Sequence, residues 1–365
     1  MKKSVKFLLI VFGLHAGFFS SNASAQQQTE NLIIVTLDGM RWQEVFSGAD
    51  KALLSDKRFT QDSTGAFAKY WNEDPTIRRK KIFPFLWSTL ANNGQLLGNR
   101  NFGNKVNNAN PYKFSYPGYN EIFTGYPDTL VNSNNKILNK NTNVLEFIHQ
   151  QPAFNNKVAA FTTWDVFPYI LNKGRSGIYV NSDHDTLSSS VNNYQLLNDF
   201  QRLSPRPIGV RPDVITYLAA KEYLKTKRPS VLYIAFDETD DFAHGGQYNQ
   251  YLLSAGAQDQ MIADLWNWVQ SEPGYKGKTT LIVTCDHGRG DLIKENWRNH
   301  GANIPEAGEI WVAIMGPDTA PAGERKDAIQ LYQKQLAATF AKLLGLNFTA
   351  NHPVADPIES MIKNK

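Results

Sequence analysis

One cysteine in 365 residues, Cys285, is too few for an internal disulfide. Charge of either sign is also short of any large excess: 38 Lys and Arg stand against 34 Asp and Glu. Three of those basic residues (Lys2, Lys3 and Lys6) lie in the first 25 positions, which hold no acid, so the remainder carries 35 basic and 34 acidic residues. A chain so nearly neutral offers no electrostatic footprint for nucleic acid. Past the N-terminus there is no apolar run long enough for a membrane span. What is present is core-forming material, 42% hydrophobic and 12% aromatic, enough for one large core and unlike a disordered chain.

The N-terminus reads as a secretory signal over residues 1–25. Lysines precede the apolar run "FLLIVFGLHAGFF", and Ala23-Ser24-Ala25 fits the small-residue cleavage rule, with Gln26 as the mature start. The apolar run is short for an uncleaved anchor. A short signal on a cysteine-poor chain suits a bacterial periplasm.

Continuous apolar runs at 32–37, 158–162, 231–236, 280–284 and 309–314 read as strands covered on both faces. Helical patterns lie between them at 143–150, 212–226, 250–271 and 325–344. This alternation predicts an α/β fold, a three-layer α/β/α sandwich around a mostly parallel central sheet with loop or cap insertions. Residues 94–116, rich in Asn, Gly and aromatics, read as ordered loop or short hairpin. No repeat or linker divides residues 26–365, which read as one domain.

Chemistry gathers where the strands end. "LIIVTLDG" places Asp38 after the first strand, "VLYIAFDETDDFAH" places Asp240 and His244 past the third, and "LIVTCDHGRG" ends in Asp286 and His287. His300 precedes the last strand. Carboxyl ends of parallel strands form the ligand crevice of such folds, so these groups should converge. Taken singly, each is more often a turn former, a helix cap or a satisfied imidazole. Taken jointly, carboxylates and imidazoles suit zinc or a similar divalent ion, and six such ligands are too many for one catalytic zinc but serve a pair. In "KFSYPGYNEIFTGYPD" Ser115 stands before a short helical pattern, with Pro117 in its first turn and Gly125 as its stop. Amides there would bind an anion, and Ser115 is the candidate nucleophile; the plainer alternative is a helix cap.

These motifs resemble the alkaline phosphatase superfamily, most closely its nucleotide pyrophosphatase/phosphodiesterase-like branch. The first-strand Asp38, "SYPGYNEIFTGYP", the Asp240-x-x-x-His244 pair, "DHG" at 286–288, and the run from His300 to Pro317 follow that branch in order. The resemblance implies a metal-dependent hydrolase of phosphoric esters, monoester or diester, that works through a phosphoseryl intermediate on small-molecule substrates. It also implies two divalent ions, most simply Zn2+, one held by Asp38, Asp286, His287 and Ser115, the other by Asp240, His244 and His300. A phosphate-binding Asn is expected after the helix, nearest to Asn135, with Asn134 adjacent. Gly118 and Tyr119 replace the Asn-His of the phosphodiesterase pattern, which leaves substrate class open. A sulfatase's Cys-or-Ser, Pro, Arg signature is missing. Lys173 and Arg175 match a Lys-x-Arg used by monoesterases of the superfamily, set against a reading as a solvated basic turn. Phosphotransferase, mutase, sulfatase and phosphonate hydrolase are the alternatives among enzymes, and a periplasmic anion-binding protein is the alternative outside them. A hydroxyl at the helix start speaks against pure binding.

Overall fold

The computed structural model describes Met1 and residues 28–188, 192–206 and 209–363; apart from Met1, the expected signal segment lies outside the described residues. Among the described residues eleven strands are formed: β1 (Asn31–Leu37), β2 (Gly94–Leu97), β3 (Asn104–Asn107), β4 (Val158–Thr162), β5 (Tyr179–Ser182), β6 (Val231–Phe236), β7 (Thr279–Thr284), β8 (Glu309–Ile310), β9 (Val312–Met315), β10 (Gly323–Glu324) and β11 (Ile329–Tyr332). Eight of them make the central sheet in the order β10-β2-β9-β7-β1-β6-β4-β5. From β7 to β5 all neighbours are parallel, and β9 runs antiparallel to both β7 and β2.

Every residue of β1, β4, β6 and β7 is buried, as continuous apolar runs require when helices cover both faces. One helical layer contains Asp213–Lys227 and Tyr248–Ser271; the other contains Ser115–Thr124, Val144–His149 and Leu336–Leu343. The architecture is therefore an α/β/α sandwich around a mostly parallel sheet.

Three local readings are corrected by the structure. The expected helix at 325–344 begins only at Leu336; Ile329–Tyr332 is instead a strand, paired in parallel with β3, because "IQLY" is β-favouring and packs on an available edge. Residues 94–116 are not a hairpin. β2 joins the central sheet while β3 belongs to a second sheet of order β11-β3-β8, so the two strands never pair. The expected strand 309–314 is divided at Trp311, its first part serving the small sheet and its second the large one.

Register places the site. β1 lies between β6 and β7, with Leu37 opposite Phe236 and Thr36 opposite Thr284, so the three chains leave the sheet side by side at one edge. Asp38 follows directly, Asp286 follows β7 by two residues, and Asp240 sits in the helix Glu238–His244 that starts just beyond β6.

Candidate metal centre and nucleophile

At that edge the candidate ligands meet. His287 Nε2 lies 3.4 Å from Asp38 Oδ1, 3.4 Å from Asp286 Oδ2 and 3.9 Å from Asp240 Oδ1. His300 Nε2 is 3.8 Å from Asp240 Oδ1. His244 Nε2 is 3.1 Å from Asp240 Oδ2 and 3.0 Å from His300 Nε2. Two donor groups result, Asp38 with Asp286 and His287, and Asp240 with His287 and His300, the donor atoms in each lying within 4.8 Å of one another. His287 belongs to both.

The donors are oriented by their neighbours. His287 Nδ1 donates to the Gly288 carbonyl at 2.9 Å, which leaves Nε2 with its lone pair aimed at the carboxylates. Burial pushes the His287 imidazole down to about 4, so it is neutral at pH 7. Tyr119 donates its hydroxyl to Asp38 Oδ2 at 2.8 Å, and the Gly39 amide donates to Asp286 Oδ1 at 3.1 Å. The remaining oxygens, Asp38 Oδ1 and Asp286 Oδ2, are buried without a hydrogen-bond partner. Burial, and then the charge of neighbouring carboxylates, holds both acids well above the usual carboxylate range. Two buried carboxyl oxygens without hydrogen-bond partners, facing a lone-pair nitrogen, form a donor set that fits a divalent metal, whose charge would favour the ionised acids.

Ser115 reaches the same pit. It is the first residue of the helix Ser115–Thr124, whose preceding residue Phe114 supplies no side-chain cap, so Ser115 is not the cap of its own helix. Its Oγ lies 3.4 Å from His287 Nε2 and the residue is 6% exposed. Gly125 closes the helix at φ 70°, a conformation that favours glycine, with its amide bonded to Glu121. Gly118 lets the helix press on the end of β7: a Cβ there would stand 2.5 Å from the Asp286 carbonyl oxygen.

Of the two asparagines, Asn134 is the one that touches the helix start, accepting the Tyr116 amide on Oδ1 at 2.9 Å. Asn135 is exposed and lines a neighbouring cavity of about 180 Å³ with Tyr116, Leu130, Ile137 and Leu138. Lys173 and Arg175 are engaged elsewhere. Lys173 pairs with Asp185 at 3.3 Å; Arg175 binds Glu146 at 2.9 Å and donates to the carbonyls of Asn139, Lys140 and Asn141, so it fastens a loop instead of forming a solvated turn. Trp42 donates to Glu309 at 2.8 Å.

Sequence reasoning overlooked two site residues. Tyr119 is read from the sequence only as a departure from the phosphodiesterase pattern, although its place four residues after Ser115 puts both on one helix face. Arg289, in the "GRG" that follows His287, is fully buried and pairs with Asp240 Oδ1. Burial alone would raise the Asp240 carboxyl, but Arg289, with His244 and His300, holds it well below the usual range.

Residues 49–339 match the family described as type I phosphodiesterase / nucleotide pyrophosphatase, a span that includes every candidate ligand except Asp38. No curated protein sequence matches the chain. Among solved structures, wild-type alkaline phosphatase PafA superposes with a TM-score of 0.60 at 12% identity, covering 92% of this chain and 99% of its own. The lipoteichoic acid synthase LtaP from Listeria monocytogenes gives 0.57 at 12% identity, with 89% and 74% covered. Murine ectonucleotide pyrophosphatase / phosphodiesterase 5 gives 0.55 at 13%, with 91% and 100% covered. At these identities the likeness is one of fold.

Proposed function

The chain belongs to the type I phosphodiesterase / nucleotide pyrophosphatase family, within the alkaline phosphatase superfamily, and on that premise we propose that it hydrolyses phosphoric esters through a phosphoseryl intermediate on Ser115. The observation that carries the reading is the meeting of Ser115 Oγ with Asp38, Asp240, His244, Asp286, His287 and His300 at one sheet edge. Asp38, Asp286, His287 and Ser115 would hold one divalent cation and Asp240, His244 and His300 a second, zinc being the ion that suits mixed carboxylate and imidazole donors. When bound, such cations supply Lewis-acid stabilisation of phosphoryl oxygens and lower the pKa of hydroxyl groups beside them.

The chain's own residues account for the rest. Ser115 Oγ gives up its proton and forms the new bond to phosphorus as the P–O bond to the leaving group breaks and that oxygen takes a proton; water then cleaves the phosphoseryl bond, restoring the serine hydroxyl and releasing phosphate from a monoester or a phosphate monoester from a diester. A phosphoryl group on Ser115, at the start of a ten-residue helix, would lie at the positive end of the helix dipole. Asn134, held through Oδ1 by the Tyr116 amide, keeps its Nδ2 donors for a phosphoryl oxygen, which makes it a better candidate than Asn135. Lys173 and Arg175 have other partners, so the Lys-x-Arg reading of a monoesterase receives no support from their placement. The N-terminal segment, which reads as a secretory signal, supports secretion to a bacterial periplasm as the setting for this chemistry; among the described residues no helix is long and apolar enough to cross a membrane.

Ser115→Ala tests the core of the proposal. It should lose at least about a thousandfold in kcat toward an aryl phosphate ester while retaining both equivalents of zinc by elemental analysis. Full activity in that variant would remove Ser115 from the chemistry. A rate panel of a phosphate monoester, a diester, a phosphonate monoester and a sulfate assigns the substrate class, and added alcohol acceptors separate hydrolysis from transfer.

A further inference from the structure

Arg289 is fully buried at the rim of the second donor group, and all three faces of its guanidinium are in use. Nε donates to the Trp297 carbonyl at 2.9 Å, Nη2 donates to the Arg298 carbonyl, and Nη1 donates to Asp240 Oδ1. Backbone closes in around it. Gly39, at φ +59°, passes so near that a Cβ would lie 2.6 Å from both Arg289 Nη1 and Asp240 Oδ1, and a Cβ on Gly290 would lie 2.5 Å from Asn296. A guanidinium seated on two fixed carbonyls has no freedom to follow a moving carboxylate.

The two oxygens of Asp240 therefore face different partners. Oδ2 stands 3.1 Å from His244 Nε2, which is itself 3.0 Å from His300 Nε2. Oδ1 lies 3.8 Å from His300 Nε2 and 3.9 Å from His287 Nε2, between the two donor groups, where a carboxylate left to itself would chelate one cation or bridge both. We propose that Arg289 is a positioning residue that divides the Asp240 carboxylate, keeping Oδ1 for itself so that Asp240 binds its cation through Oδ2 alone. Open coordination positions are what a phosphoryl oxygen and a water need at such a centre, and a chelating or bridging Asp240 would consume them. The inference rests on the two-cation reading above.

A crystal structure of the zinc-loaded wild-type protein tests it without any substitution. The expected result is a cation about 2.0–2.2 Å from Asp240 Oδ2 with Arg289 still on Oδ1. A cation bound to both oxygens, or Arg289 swung away from Asp240, overturns the inference; no cation beside Asp240, His244 and His300 overturns the two-cation reading itself. Cobalt substitution adds a solution readout. Arg289→Met should lower the visible absorption per bound Co2+ at least twofold as Oδ1 joins and coordination rises, and lower kcat at least tenfold with KM little changed. Arg289→Lys, which keeps a cation beside Oδ1, should recover part of both. A cobalt spectrum identical to wild type in a folded Arg289→Met protein overturns the inference, and the wild-type crystal decides should that variant fail to fold.

Discussion

At the scale of single residues, a carboxylate's two oxygens are rarely equivalent, and here each candidate carboxylate ligand has one of them committed. Tyr119 holds Asp38 Oδ2, Gly39 holds Asp286 Oδ1 and Arg289 holds Asp240 Oδ1, leaving one oxygen of each aimed inward. Partners of this kind are worth about ten- to a hundredfold in metal affinity, so Tyr119→Phe should weaken zinc binding by that order while the protein stays folded. Competition against a calibrated chelator measures it, and an unchanged affinity would make the hydroxyl a packing feature only. Asp259 shows the opposite use of a buried acid. Its oxygens accept the amides of Phe85 and Leu86 at 2.7 and 3.0 Å, yet burial still pushes it up to about 7. A carboxyl whose folded value exceeds its unfolded one contributes stability that is full below about 4 and is lost as pH rises toward 7. Wild-type melting temperature should therefore fall relative to Asp259→Asn across that window, by an amount equivalent to a few kcal/mol. Parallel curves for the two proteins would contradict the assignment.

At the scale of elements, the site depends on how closely one helix approaches one strand end. The helix Ser115–Thr124 is buried along its entire length, and Phe123 packs against Tyr233 of β6 with ring centroids 4.7 Å apart. Gly118→Ala places a methyl 2.5 Å from the Asp286 carbonyl, and neither backbone has room to yield. The expected cost is about 1–3 kcal/mol of stability, as for other overpacked cores, with a fall in kcat larger than the fall in zinc affinity because Ser115 is displaced while the acids remain. Denaturant titration and kinetics on one preparation separate the two effects. The helix itself was legible from Pro117 and Gly125, as were the four buried strands from their unbroken apolar runs. β11 was not, since four residues of "IQLY" ahead of an apolar helix continue its pattern, and only the edge of β3 makes them a strand. Asn134 and Asn135 show the same limit: in a turn where both are exposed, which one reaches the Tyr116 amide depends on the path of the loop.

At the scale of the whole molecule, three carboxylates gathered in one pit with a single buried guanidinium form a centre short of positive charge. Saturating zinc should then stabilise the folded chain, by about 2.7 kcal/mol at a hundredfold excess over Kd, and raise the melting temperature by several degrees relative to chelated protein. Chelation should abolish turnover and zinc should restore it; activity indifferent to both would end the two-cation reading. The sequence alone determined the class of fold, because burial on both faces of a strand demands unbroken apolar runs and leaves a periodic signature. It determined the candidate ligands as well, because Asp and His directly after such runs must emerge at one edge. Only tertiary structure decided which oxygen of each acid faces inward, that Tyr119 and Arg289 stand behind Asp38 and Asp240, and that Lys173 and Arg175 serve other partners. Those outcomes turn on side-chain contacts between residues 81 and 49 positions apart along the chain, and local pattern carries no record of which distant partner a polar atom will meet.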